Sequence, residues 1–175
     1  WLVQGIVSGE SLGFVGGAIW NAVYVSGLAA GVAVAVAIPM GVLGVRFAGR
    51  ITTLLSSAPY LGFAMPGIVV ALALVFFGVS YATVLYQTIF FLIAAYVIRF
   101  LPEAIGSVRT SLLQVNPSVE EAARSLGRSP LSVLATVTVP LIRPGILVGL
   151  ALVFLTAMKE LPATLILSPI GFTTL

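Results

Sequence analysis

The chain contains no cysteine, no histidine and no aspartate. Without Cys or His, zinc, haem and iron–sulfur centres lose their usual ligands. No resident metal or other cofactor is therefore expected, and no catalytic residue. Ser–His and Cys–His nucleophile pairs cannot form. The only lysine, Lys159, is followed by Glu160. No G-x-x-x-x-G-K-[ST] phosphate loop exists, so any ATP used must be bound by another polypeptide. Charge is as scarce as reactive side chains. Lys and Arg number eight and Asp plus Glu five, only 7% of the 175 residues. A soluble domain carries roughly 25% charged residues, because water must wet its surface.

What is present is apolar. Hydrophobic residues make up 60% of the chain, and the mean hydropathy is +1.21. Lipid is the solvent such a chain requires. Soluble enzymes, nucleic-acid readers and disordered proteins are set aside, and no nucleic-acid partner is expected. There is no basic n-region before the first apolar run, so no cleavable signal is read. Trp1 at the start and a continuing segment at Leu175 suggest a piece of a longer protein.

Hydropathy predicts four spans, at about 18–45, 54–79, 83–100 and 144–167. Residues 1–17 form an N-terminal segment with Glu10. The first span carries Ala29, Ala33, Ala37 and Gly41 at i, i+4 spacing, and Gly27 with Gly31 makes a GxxxG. Small residues on one stripe let membrane helices approach closely; plain abundance of Ala and Gly in such helices is the alternative. The second span holds Pro59 and Pro66. A proline removes a backbone donor, which lipid tolerates only where neighbours satisfy the freed carbonyl. A kink lining a pathway and a kink serving packing both fit.

Residues 101–143 differ. They hold Glu103, Arg109, Glu120, Glu121, Arg124, Arg128 and Arg143, seven of the chain's thirteen charges. Ser118 and Glu121 fit a capping box. Gly127 suits a helix end where φ turns positive. Ser129-Pro130 suits a new helix start. Arg46, Arg50 and Arg99 fall at span ends on the same side as this loop. The positive-inside rule then places the loop in the cytoplasm and residues 1–17 outside.

The fourth span is uncharged from Pro144 to Ala157, only about 21 Å of helix. To cross, it must include Lys159, Glu160 and Pro162. Lys159 would then lie about 22 Å into a ~30 Å core. Ionisable groups at such depth face a bundle interior or a water-filled cavity, which makes Lys159, Glu160 and Pro66 candidates for a translocation pathway. Snorkelling of Lys159 to the outer interface is the alternative.

Glu121-Ala122-Ala123, three residues, Gly127, nine residues and Val137-Thr138-Val139-Pro140 resemble the EAA signature of bacterial binding-protein-dependent (type I) ABC importer permeases. Val137 and Val139 stand for the usual Ile and Leu. Ile38-Pro39-Met40-Gly41 and Ala64-Met65-Pro66-Gly67 are similar to the family's first spans. Met158-Lys159-Glu160-Leu161-Pro162-Ala163-Thr164-Leu165, then Gly171-Phe172 and Thr174-Leu175, resembles the ferric-iron subgroup.

The resemblance implies an all-α membrane protein. It is a permease bundle with four of five core transmembrane helices present and the last beyond Leu175. It implies coupling to an ATPase through Glu120, Glu121, Ala122, Ala123 and Gly127. Paired carboxylates at a helix start offer negative charge to basic groups of a partner, and two alanines permit close approach. The implied partners are a cytoplasmic ABC ATPase dimer, a periplasmic or lipoprotein substrate-binding protein, and a second permease half or copy, all at the bacterial inner membrane. The implied activity is inward transport by alternating access, of ferric iron. Thiamine, a polyamine or an oxyanion is the alternative substrate, and an intramembrane enzyme a remote one.

Overall fold

The computed structural model describes residues 11–47 and 49–169. Glu10 and the Gly171–Leu175 match lie outside the described residues. No strand occurs among the described residues, which form helices joined by short links.

Helix α1 (Ser11–Arg46) already includes residues 11–17, so these do not form the separate segment expected from hydropathy. Its buried stripe is Ala29, Ala33 and Ala37, all with no exposure. A Cβ at Gly41 would come within 2.9 Å of the Val108 side chain. The predicted small-residue contact is therefore made, and it is made with α4 (Ile89–Leu113). The GxxxG is different: Gly27 and Gly31 are exposed, with open space where a Cβ would stand.

The second predicted span is two helices, α2 (Arg50–Phe63) and α3 (Gly67–Tyr81), meeting at 107°. Pro66 makes the break. It cannot donate to the Gly62 carbonyl, and it disfavours helical backbone at Met65. Pro59 is absorbed inside α2.

The third predicted span, 83–100, is displaced. Helix α4 starts at Ile89, after the Thr88 side chain accepts from Phe91 N–H, and runs on to Leu113. Apolar residues at helical spacing carry it past Arg99: Phe100, Ile105, Val108 and Leu112 are all buried. Glu103 and Arg109 thus belong to a long helix and not to a loop beginning at 101. Arg99 does not sit at a span end, contrary to the expectation from charge placement. It lies inside the 25-residue helix, roughly 15 Å from its first residue.

The connecting segment carries α5 (Pro117–Ser125), α6 (Pro130–Val133), a π-helical turn at Leu134–Thr138 and α7 (Val139–Leu141). Helix α8 (Arg143–Met158) then turns by 73°. The fourth predicted span breaks at Lys159-Glu160 before α9 (Leu161–Leu167).

Helices α1, α4 and α8 make the core. Gly149 on α8 stands where they meet. A Cβ there would lie 2.5 Å from Ser107 Oγ, 3.4 Å from Val34 and 3.6 Å from the Ala104 backbone. Gly145, one turn earlier, rests on Ser111 and the Ser107 carbonyl. Lipid supplies no hydrophobic drive between helices, so close backbone approach through small residues must hold them. Helix α3 packs on α9, and their Ala71, Ala163 and Leu167 extend the same buried cluster. By length and composition α1 and α4 can each cross a membrane, and each bent pair can supply one further span.

Candidate functional site: a buttressed surface loop and an ion pair between broken helices

The surface loop starts at Asn116. Its side chain accepts from Ser118 N–H at 3.0 Å, and Pro117 takes the first helical position. The expected Ser118–Glu121 capping box does not form. Pro117 has no N–H to leave unsatisfied and its φ suits a helix start, so α5 begins one residue before Ser118 and Asn116 becomes the cap. Gly127 has φ +83°, the left-handed turn predicted for it. Ser129 caps α6 by accepting from Ser132 N–H, and Pro130 follows, as expected.

The two carboxylates of the loop have opposite fates. Glu121 is exposed, as is Ala122, while Ala123 is half-buried. Glu120 is 4% exposed. Arg46, from the last turn of α1, donates to it through Nε (3.1 Å) and Nη2 (3.3 Å) and also to the Val115 carbonyl (2.9 Å). Thr138 donates at 3.0 Å to Oε1 of the same carboxylate, the oxygen that also accepts from Arg46 Nη2. Glu120 therefore ties three segments together: the end of α1, the loop helix α5 and the π-turn. Thr138 is the second residue of the Val137-Thr138-Val139-Pro140 string. The π-turn has a local cause. Val139 N–H reaches back to the Leu134 carbonyl, and Pro140 has no N–H to continue the α ladder.

With Glu120 turned inward, the outward surface is Glu121, Ala122, Arg124, Ser125, Leu126, Gly127, Arg128 and Leu131. Leu126 is 84% exposed and Leu131 78%. Two exposed leucines among alternating charges make a mixed surface of the kind a protein partner covers.

The second feature lies between the broken helices. Arg99 Nε stands 3.2 Å from Glu160 Oε2, with both side chains largely buried. Arg99 Nη1 also reaches the Met65 carbonyl at 3.4 Å. The pair lies against Gly67, the first residue of α3. A Cβ there would meet Glu160 Oε1 at 2.7 Å and Arg99 Cζ at 2.9 Å. Glu160 Oε1 has no hydrogen-bond partner. Beside the pair, Tyr96 bonds the Thr164 hydroxyl, and Thr164 bonds the Glu160 carbonyl.

Of the three residues predicted for a pathway, only Glu160 is buried. Lys159 is exposed at the C-terminal end of α8, where a cation suits the helix dipole. Pro66 is exposed at the α2–α3 break, next to Gly67. The ionic partner of Glu160 is Arg99, which the sequence reading missed. The apolar spacing that continues beyond it was the available signal. Among the described residues, no three His, Cys, Asp or Glu side chains gather to hold a metal.

The family model for the inner membrane component of binding-protein-dependent transport systems matches residues 27–175. The chain belongs to that family. The family is that of a transport-system component of the inner membrane. Among its relatives is the Fe(3+)-transport system permease protein FbpB 2 of Haemophilus influenzae. The two are 42% identical over 178 aligned residues, covering 100% of this chain and 35% of that protein. The chain thus spans about a third of that relative. The molybdenum transport system permease protein ModB of Escherichia coli is 30% identical over 165 residues, covering 83% of this chain and 70% of ModB. The loop, the broken helices and the small-residue core described above all fall within the matched residues of this transport component.

Proposed function

We propose that this chain is part of the membrane subunit of an ABC importer that moves ferric iron inward. The observation that carries the substrate is the 42% identity, along the whole chain, to a Fe(3+)-transport permease. A separate ATPase dimer supplies the energy, a substrate-binding protein delivers the iron outside, and a second permease half or copy completes the membrane domain. The loop faces the cytoplasm. Its exposed residues Glu121, Ala122 and Gly127, with the half-buried Ala123, seat in the ATPase, while Glu120 holds the loop helix to α1.

Movement of the seated helix reaches the membrane helices through Arg46 and Thr138, both bonded to one carboxylate. Transport is by alternating access, which requires the ATP-bound partner to favour one of two states. Lys159, Glu160 and Pro66 mark the junction of the broken helices where those states differ. The likeness to a molybdenum permease favours an oxyanion as the second reading.

The test is uptake by the full transporter, with its ATPase and binding protein, in proteoliposomes. ATP-dependent accumulation of ferric iron and not of molybdate is expected. Accumulation of molybdate alone gives the second reading.

A further inference from the structure

Helix α4 presents Glu103, Ser107, Thr110 and Gln114 along one stripe, at i, i+4, i+7 and i+11. These residues line a groove of about 850 Å³ between α4 and α8, whose opposite wall is apolar and includes Val148 and Leu152. Glu103 is half-buried, and Thr110 and Gln114 are exposed. Polar side chains on a membrane helix face a bundle interior or water, because lipid leaves them unsatisfied. The groove begins beside Asn116 and Val119, at the loop, and rises to Glu103.

The Ser107 and Thr110 hydroxyls in it spend their protons on their own helix. Ser107 donates to the Ala104 carbonyl at 3.0 Å and Thr110 to the Gly106 carbonyl at 2.8 Å. What they offer the groove is lone pairs. No Lys or Arg lines it, and Glu103 is its one charged residue. Thr156 on α8 donates to Glu103 Oε2 at 3.0 Å. One turn further along α4 on the same face stands Arg99, engaged with Glu160.

The geometry points to this groove as the inner leg of the substrate route, with Glu103 as the group that draws a hard cation into it. The inference rests on the proposed function and adds its residues. Neutral hydroxyl and amide oxygens with a single carboxylate bind a hard cation loosely, so the cation can leave. The same lining repels an oxyanion. Glu103, where the groove ends, stands one helical turn from Arg99, whose partner Glu160 belongs to the junction of the broken helices.

The test uses the full transporter in proteoliposomes. Glu103→Gln is expected to lower ferric uptake at least tenfold while the ATPase stays bound, and Glu103→Asp to recover a third or more. Thr110→Cys and Gln114→Cys are expected to react with a membrane-impermeant thiol reagent applied from the ATPase side. These 175 residues add no background cysteine of their own. Unchanged uptake by Glu103→Gln overturns the inference, as does failure of both cysteines to react. If the parent transporter takes up no ferric iron, the functional reading fails. Thiol labelling needs no iron and still judges the groove.

Discussion

Arg46 and Glu120, 74 residues apart in the chain, meet through Nε and Oε2 at 3.1 Å. The contact joins the last turn of α1 to the loop helix, and Thr138 adds a bond from the π-turn to Glu120 Oε1. Arg124 comes only to 4.0 Å of the same carboxylate and is half-exposed, so it adds little. Glu120→Ala leaves Arg46 without its carboxylate. Removing one partner of a buried pair costs about 3 kcal/mol. Thermal unfolding in detergent is expected to show a clear loss, together with poorer retention of the ATPase. An unchanged melting temperature would sink the buttress.

Glu121→Ala separates seating from folding. Glu121 is exposed, and surface substitutions away from special contacts stay within about 0.5 kcal/mol. The variant is expected to melt as the parent does and to lose ATP-driven uptake several-fold. Normal uptake with normal ATPase binding would remove Glu121 from the coupling surface.

Gly127 carries φ +83° with open space around it. The cost of a side chain there is backbone strain alone, about 1–2 kcal/mol for an L-residue in the left-handed region. Gly127→Ala is expected to destabilise by that amount and Gly127→Asn by less, since Asn tolerates this conformation better. Equal melting of Ala, Asn and parent proteins would contradict the turn.

The Arg99–Glu160 pair predicts a non-additive cycle. Either Arg99→Met or Glu160→Met alone strands a buried charge, at a cost of about 3 kcal/mol. The double variant removes both charges and is expected to melt closer to the parent than either single one. Ferric uptake is expected to fall in all three, because the pair sits where the broken helices meet. Additive losses in the melting temperatures would mean that the two side chains do not pair.

Much of the loop was legible. Gly127, Ser129 and Pro130 act through local backbone chemistry, and the structure places them as the residue types require. The cap was misplaced by a short step, because Asn116 and Ser118 both qualify and Pro117 decides between them. The alanine stripe of α1 was legible too, since a 3.6-residue period reports a buried face. Gly27 and Gly31 carry the same composition, yet they face away from the core. Composition marks a helix that can pack closely, and the partner determines which side does.

Charge placement was the least legible. Arg99 reads as a boundary residue because a charge beside an apolar run usually marks the water interface. That rule fails where another buried charge offsets the cost, and Glu160 lies on a different broken helix.

From its sequence alone this chain is lipid-embedded, helical, broken at its prolines and built around a surface loop of known pattern. Hydropathy, missing backbone donors and turn chemistry act over a few residues, so order along the chain suffices to read them. The tertiary structure alone decided that Glu120 is buried while Glu121 is free, that Glu160 pairs with Arg99 and not with Lys159, and that Glu103 heads an open groove. Each depends on which distant segment lies opposite. Electrostatic partners are chosen by distance in space, and the linear order of residues does not contain that distance.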